Sequence, residues 1–217
     1  DPSKLQLYSY PTPNGVKVSI ALEEMGIPYE AHFVGLTDAD VKSPEFLALN
    51  PNNKIPAIID PNGPEGVQID LFESGAILIY LAEKSGKFLS KDPVKRYETL
   101  QWVMFQMGGL GPMFGQLGFF YKFAGKDMKD PTARNRYINE AKRLLAVVDQ
   151  QLNGKDWIVD DYSIADMMIA PWLNALEFYG AKEVVGYHGL KNVPAYVERF
   201  YARPAVQKAK NIPPVPS

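Results

Sequence analysis

Glu73 and Ser74 stand where a strand-like run gives way to an apolar helix, and they are the pair in this chain best suited to hold a charged ligand. A helix N-terminus with a hydroxyl and open N–H groups suits a carboxylate, and an adjacent acid suits an ammonium. Upstream, Ile55-Pro56 opens a short β-branched run, Ala57-Ile58-Ile59-Asp60. A proline there cannot donate to a strand ladder. In the cis form, the Ile55–Pro56 bond would turn the N–H and C=O of Ile55 outward, free to pair with an extended ligand. In the commoner trans form it would be an edge turn. A presented strand edge beside an ammonium-and-carboxylate clamp describes a site for a short peptide with a free amino-acid end. The chain supplies little chemistry of its own. It has no cysteine and only two histidines, His32 and His188. That removes thiol nucleophiles and Cys-ligated metals, and it leaves a His-based zinc site or a Ser-His-Asp triad with little support. No metal is expected, and any reactive group must arrive with the ligand.

The totals narrow the partners. Net charge is −2 over 217 residues, and no basic block runs along the chain. Nucleic acid and anionic membranes are therefore not expected as partners. No apolar run reaches the roughly 18–20 residues of a membrane span. The first residues lack the charged and apolar regions of a secretory signal, so a cytoplasmic protein is expected.

The elements that must position Glu73, Ser74 and Ile55 can be read in order. The 4–10 stretch alternates as a strand, and 16–25 carries Val18, Ala21, Leu22 and Met25 at helical spacing before Gly26. A second strand over 29–34 completes a βαβ unit. A short helix or turn over 45–49 precedes strands at 57–60 and 67–71, joined by the Gly/Pro turn 61–66. A helix from Glu73 to Glu83 closes the order β-α-β-α-β-β-α, which is that of a thioredoxin-like domain. Residues 1–86 form that domain, 87–92 a linker, and 93–217 an all-helical domain. In the second domain, long helices are expected over 94–108 and 133–152. Gly108-Gly109-Leu110-Gly111-Pro112 should bend the first of them. Ser163 and Asp166 should form a capping box that starts a buried helix, with Tyr162 able to pack on Met167. Short helices are expected over 193–201 and 205–210.

A thioredoxin-like half with I-P at a strand entry and E-S at a helix start, followed by a helical half with S-I-A-D, resembles the cytosolic glutathione transferases over essentially the whole chain. T-P-N-G at 12–15 and G-G-L-G-P-M at 108–113 are similar to the Nu class and its bacterial disulfide-bond reductases. The resemblance implies glutathione as co-substrate and a homodimer. Ser74 and Glu73 would hold the γ-glutamyl end, and Ile55 would pair its backbone with the cysteinyl part. Lys54 and Asn53 lie where they could reach the glycyl carboxylate. Thr12 and Asn14 would face the sulfur, with Thr12 Oγ1 donating to it, and Ser9 and Tyr8 stand close enough in sequence to be rivals. A helix N-terminus and a hydroxyl donor lower a thiol's pKa from about 8.5, which is how such a site would activate it. Turn formation and helix capping are the structural alternative for Thr12 and Asn14, above all for Asn14. Arg136 matches a glutathione-binding arginine of the class, with the neighbouring Arg134 and Arg143, or a solvated helix face, as the alternatives, while Val41 stands where relatives carry a Gln contact. The aromatic 102–123 stretch would serve the core, the dimer and in part a second-substrate pocket. The implied activity is glutathione-dependent thiol–disulfide exchange. Conjugation or peroxide reduction would use the same sulfur, and a non-catalytic glutathione-binding regulator is the alternative from another class.

Overall fold

The computed structural model describes residues 1–216 and divides into two compact units, the first covering Asp1–Leu89 together with the segment from Arg203 on, the second Ser90–Ala202. The first unit has strands β1 (Leu5–Ser9), β2 (Tyr29–Phe33), β3 (Ala57–Asp60) and β4 (Ile69–Phe72). They lie in the order β2-β1-β3-β4. β1 and β2 are parallel, as the βαβ unit requires, and β3 runs antiparallel to both β1 and β4. Helices α1 (Pro13–Met25), α2 (Asp38–Val41), α3 (Pro44–Leu49) and α4 (Ser74–Ser85) complete the thioredoxin-like arrangement. α1 packs against α4. Leu7, Val18, Leu22, Ile58, Ile77, Leu78 and Leu81 are wholly buried, each contributing roughly 1.5–3 kcal/mol on leaving water. Gly26, at φ 71°, ends α1 in the left-handed conformation and returns its N–H to Glu23 and Leu22.

The pairing register decides what the sheet presents at one end. Tyr8, near the end of β1, pairs with Ala57 at the start of β3, and Ala57 pairs in turn with Phe72 at the end of β4. The segments just beyond these residues therefore emerge together: 10–12, 54–56 and 73–74. The first of them approaches α1 so closely that a Cβ at Gly15 would collide with the carbonyl of Tyr10 and with Ser9 Oγ.

The second unit is helical: α5 (Pro93–Phe105), α6 (Gly111–Tyr121), α7 (Thr132–Gln151), α8 (Ile164–Tyr179) and α9 (Val193–Tyr201). The glycine-rich stretch, where a bend is expected, keeps a helical backbone. Residues Gln106–Leu110 form a π-helical turn that runs from α5 into α6. Its wider turn displaces the carbonyls that Pro112 would otherwise meet, so the proline is carried near the start of the next α segment. The capping box of α8 forms as expected. The Tyr162 ring packs with Trp157, at 4.8 Å between centroids, and with Phe200.

Two features depart from the sequence reading. α2 is only four residues long, too short to show a period, and its start is marked by Thr37, which accepts from Asp40 N–H. The larger departure is the chain's last segment. Helix α10 (Pro204–Ala209) packs on α1 in the first unit, so the second unit ends at Ala202 and does not span the whole of 93–217. Arg203 makes a paired contact with Glu24 (2.6 and 2.9 Å), and Lys208 reaches Glu23. Ser19 Oγ donates to the carbonyl of Ala209. The first unit likewise runs on to Leu89, past the boundary at 86.

Candidate functional site

The three segments that emerge together carry most of the residues singled out by sequence. Thr12 caps α1: its Oγ1 accepts from Gly15 N–H at 3.2 Å, with Pro13 at the first helical position. The cap thus falls to Thr12 and not to Asn14. A hydroxyl that accepts from the helix keeps its proton for a second partner. Ser9 is wholly buried and its hydroxyl donates back to the Tyr10 carbonyl (3.4 Å), while the Tyr8 ring stacks on His32 at 4.7 Å. The Ser9 hydroxyl is therefore engaged within the fold.

The Ile55–Pro56 peptide is cis. Neither the N–H nor the C=O of Ile55 has a hydrogen-bond partner among the described residues. A main-chain donor and acceptor left in this way at a loop call for an outside partner. The preceding loop is shaped by Asn50, a buried residue (2% exposed) that sequence reasoning passed over. Its Nδ2 donates to the Lys54 carbonyl (2.6 Å) and its Oδ1 accepts from Asn52 N–H (2.9 Å). Asn53 sits at φ 48°, a region Asn tolerates. The Lys54 side chain is exposed. Val41, at the position of the expected glutamine, packs with Phe46, Ile55 and Ala57 in a small apolar cluster.

At the third segment, Glu73 is exposed and holds φ 70°, ψ 111°, and its side chain makes no capping bond to α4. A non-glycine residue there costs about 1–3 kcal/mol, a strain found at functional sites more than elsewhere. Ser74 opens α4 and is buried. Its Oγ accepts from Lys17 Nζ at 3.2 Å, and the same ammonium donates to Asn14 Oδ1 at 2.7 Å. Lys17 is wholly buried. Burial pulls its pKa well below the ordinary value, and the Glu73 charge opposes that pull. The structure thus joins Asn14, Ser74 and Glu73 through a lysine that the sequence presents as one polar residue in the run V-K-V. Arg136 lies on α7 of the second unit, exposed and one turn from Glu140.

Chemically, the first unit offers two helix N-termini, hydroxyls at Thr12 and Ser74, an acid at Glu73 and an unpaired stretch of main chain at Ile55. The set suits an extended anionic peptide. Among the described residues no group of acids and histidines could hold a metal ion.

Comparison with known proteins agrees with this chemistry. The glutathione S-transferase N-terminal domain matches residues 3–83 and the glutathione S-transferase C-terminal domain residues 112–204. The chain is 43% identical over 207 residues to the disulfide-bond oxidoreductase YfcG of Escherichia coli, covering 94% of each. A glutathione transferase from Pseudomonas putida, crystallised with one glutathione disulfide per subunit, superposes with a TM-score of 0.96 at 60% identity, covering 98% of this chain and 93% of that one. One from Burkholderia graminis, with two glutathione molecules per subunit, gives 0.96 at 58% identity, covering 99% and 90%.

Proposed function

Because this chain belongs to the glutathione S-transferase family, we propose that it is a glutathione-dependent thiol–disulfide oxidoreductase whose nucleophile is the thiol of bound glutathione. The observation that carries this reading is the pairing of a chain without cysteine with an unpartnered Ile55 main chain beside two helix N-termini. The protein can form no mixed disulfide of its own, so the attacking sulfur has to be the ligand's. A glutathione thiolate attacks one sulfur of the substrate disulfide, a new S–S bond forms, and the displaced thiolate leaves with a proton from solvent. A second glutathione then attacks the mixed disulfide, giving glutathione disulfide and the second substrate thiol. The two glutathiones, or one glutathione disulfide, present in the related crystal structures have the stoichiometry of this sequence.

In this reading Ser74 and the first N–H groups of α4 take the γ-glutamyl carboxylate, and Glu73 takes its ammonium. Ile55 pairs with the cysteinyl residue, while Asn53 and Lys54 serve the glycyl end. Thr12 donates to the sulfur, Asn14 contacts the same region, and Arg136 supplies a further cation. Thiolate stabilisation by a hydroxyl and the end of a helix dipole is the catalytic contribution of the chain. A second copy of the chain is the partner expected along α5, where Val94, Tyr97 and Met104 are 67%, 71% and 56% exposed. They recur three and seven residues apart, on one face of the helix. A reducing cytoplasm, where glutathione is kept as the thiol, is the compartment this chemistry implies.

The test is turnover of hydroxyethyl disulfide with reduced glutathione, alongside glutathione binding by calorimetry. Turnover above the uncatalysed rate is expected. Binding without turnover would point instead to a glutathione-binding regulator, and no binding would overturn the reading.

A further inference from the structure

Lys17 joins the two helix N-termini of the first unit, and its placement runs against ordinary preference. Cations favour helix C-termini, where the carbonyl dipole ends lie, yet this ammonium reaches back to Asn14 in the first turn of α1 and lies against the first residue of α4. Burying a charge there is expensive, and an apolar side chain of similar volume would give a more stable fold. What the ammonium does in return is fix hydrogen-bond polarity. An ammonium only donates. By donating to Asn14 Oδ1 at 2.7 Å, it turns the carbonyl side of that amide inward and commits the amide's NH2 to the opposite direction. By donating to Ser74 Oγ at 3.2 Å, it leaves that hydroxyl's proton directed away from Nζ. Both side chains are thereby held in fixed orientations at the starts of α1 and α4, the helix tips that a thiolate and a carboxylate would approach.

Resting on the oxidoreductase reading above, we propose that Lys17 is a positioning residue. By donating to Asn14 and Ser74, it fixes the orientation of both side chains and ties the start of α1 to the start of α4. Wholly buried, it would act through those two side chains and not by touching glutathione or the substrate disulfide.

The test is a double-mutant cycle with Lys17→Met and Asn14→Ala, singly and together, read by glutathione affinity and by hydroxyethyl disulfide kcat/KM. If Lys17 works through Asn14, Lys17→Met alone weakens both about tenfold but costs only about twofold where Asn14 is already alanine. Equal losses on the two backgrounds, or no loss on either, overturn the proposal. Should Lys17→Met fail to fold, Lys17→Gln, which keeps an NH2 donor group and drops the charge, enters the same cycle with the same criteria. A second measurement uses no ligand. The Asn14 side-chain amide resonances of the isotope-labelled protein are expected to shift and to exchange faster with water in the Lys17 variant, and unmoved resonances overturn the proposal. If the wild-type chain binds no glutathione, the oxidoreductase reading falls, and the amide resonances still decide whether Lys17 orients Asn14.

Discussion

The N-termini of α8 and α4 open their helices in opposite ways. At α8, Ser163 Oγ accepts from Ala165 N–H, and the Asp166 carboxylate takes Ser163 N–H at 2.9 Å, Ile158 N–H at 2.9 Å and the Tyr196 hydroxyl at 3.1 Å. Asp166 is wholly buried. Every partner it uses belongs to the protein. At α4 the cap residue is exposed, holds a positive φ and gives its helix no side-chain bond, while Ser74 is held from behind by a lysine. One tip is closed by its own side chains and serves the fold. The other is strained, and its strain and open N–H groups are what a ligand can use.

The sharpest way to break this contrast is Asp166→Ala. It strands four buried donors, the N–H groups of Ser163 and Ile158 and the hydroxyls of Ser163 and Tyr196, each worth roughly 1–3 kcal/mol, so a loss of about 4 kcal/mol in urea unfolding is expected. Turnover per folded molecule should not change. An equal loss of stability from Ser74→Ala would erase the distinction between the two tips.

A pH series extends the same comparison. Burial pushes the Asp166 carboxyl up to about 6, against the bonds it accepts from Ile158, Ser163 and Tyr196. Its folded pKa thus exceeds the unfolded value of about 3.9. The folded state then holds the proton more tightly, and the stabilisation from this group is full below about pH 4 and lost as pH rises through about 6. The two-unit shift corresponds to about 2–3 kcal/mol. Asp60 has the opposite sign. Burial pushes it up, but Lys84, Tyr80 and the Asn62 N–H together hold it below its ordinary range, so its contribution is lost as pH falls. The wild-type curve mixes the two signs. The difference between wild type and Asp166→Asn should show the falling limb between pH 4 and 6, and a flat difference would contradict the assignment.

Thr12→Ala addresses the tip of α1. Loss of the cap costs about 1 kcal/mol of stability. The larger effect should be on chemistry, with kcat for disulfide reduction down about thirtyfold, or roughly 2 kcal/mol, and glutathione affinity changed far less. Equal losses in both would make Thr12 a binding residue only. The smallest expected effect belongs to Glu73→Gly. It relieves the backbone at φ 70°, so melting temperature should hold or rise slightly, while glutathione binding weakens about tenfold through loss of the acid. Tighter or unchanged binding would remove Glu73 from the site.

What could be read from the sequence was what is local. Ser163 and Asp166 are three residues apart, and their box is written in one turn of chain. The strands at 4–10 and 57–60 declared themselves by alternation and by β-branched content. Thr12, Ile55, Glu73 and Ser74 were legible because each lies at the junction of a strand with a turn or helix. Lys17 was not, because its partner Ser74 is 57 residues away, and a lone lysine among valines looks like a solvated face. Asn50 was hidden by its setting in a turn-forming run, where asparagine needs no further explanation. The fate of α10 was equally invisible: Ser19 and Ala209 meet across 190 residues. The π-turn escaped because glycines and a proline signal a break, and only the three-dimensional path shows that a wider turn absorbs them.

The seat of α10 has a consequence for how the protein is made. A ribosome delivers the βαβ core early, but the segment that braces α1 through Glu23 and Glu24 emerges only after Ala202. The first half to be synthesised is therefore the last to be finished, and a nascent chain halted before Arg203 carries α1 without its brace.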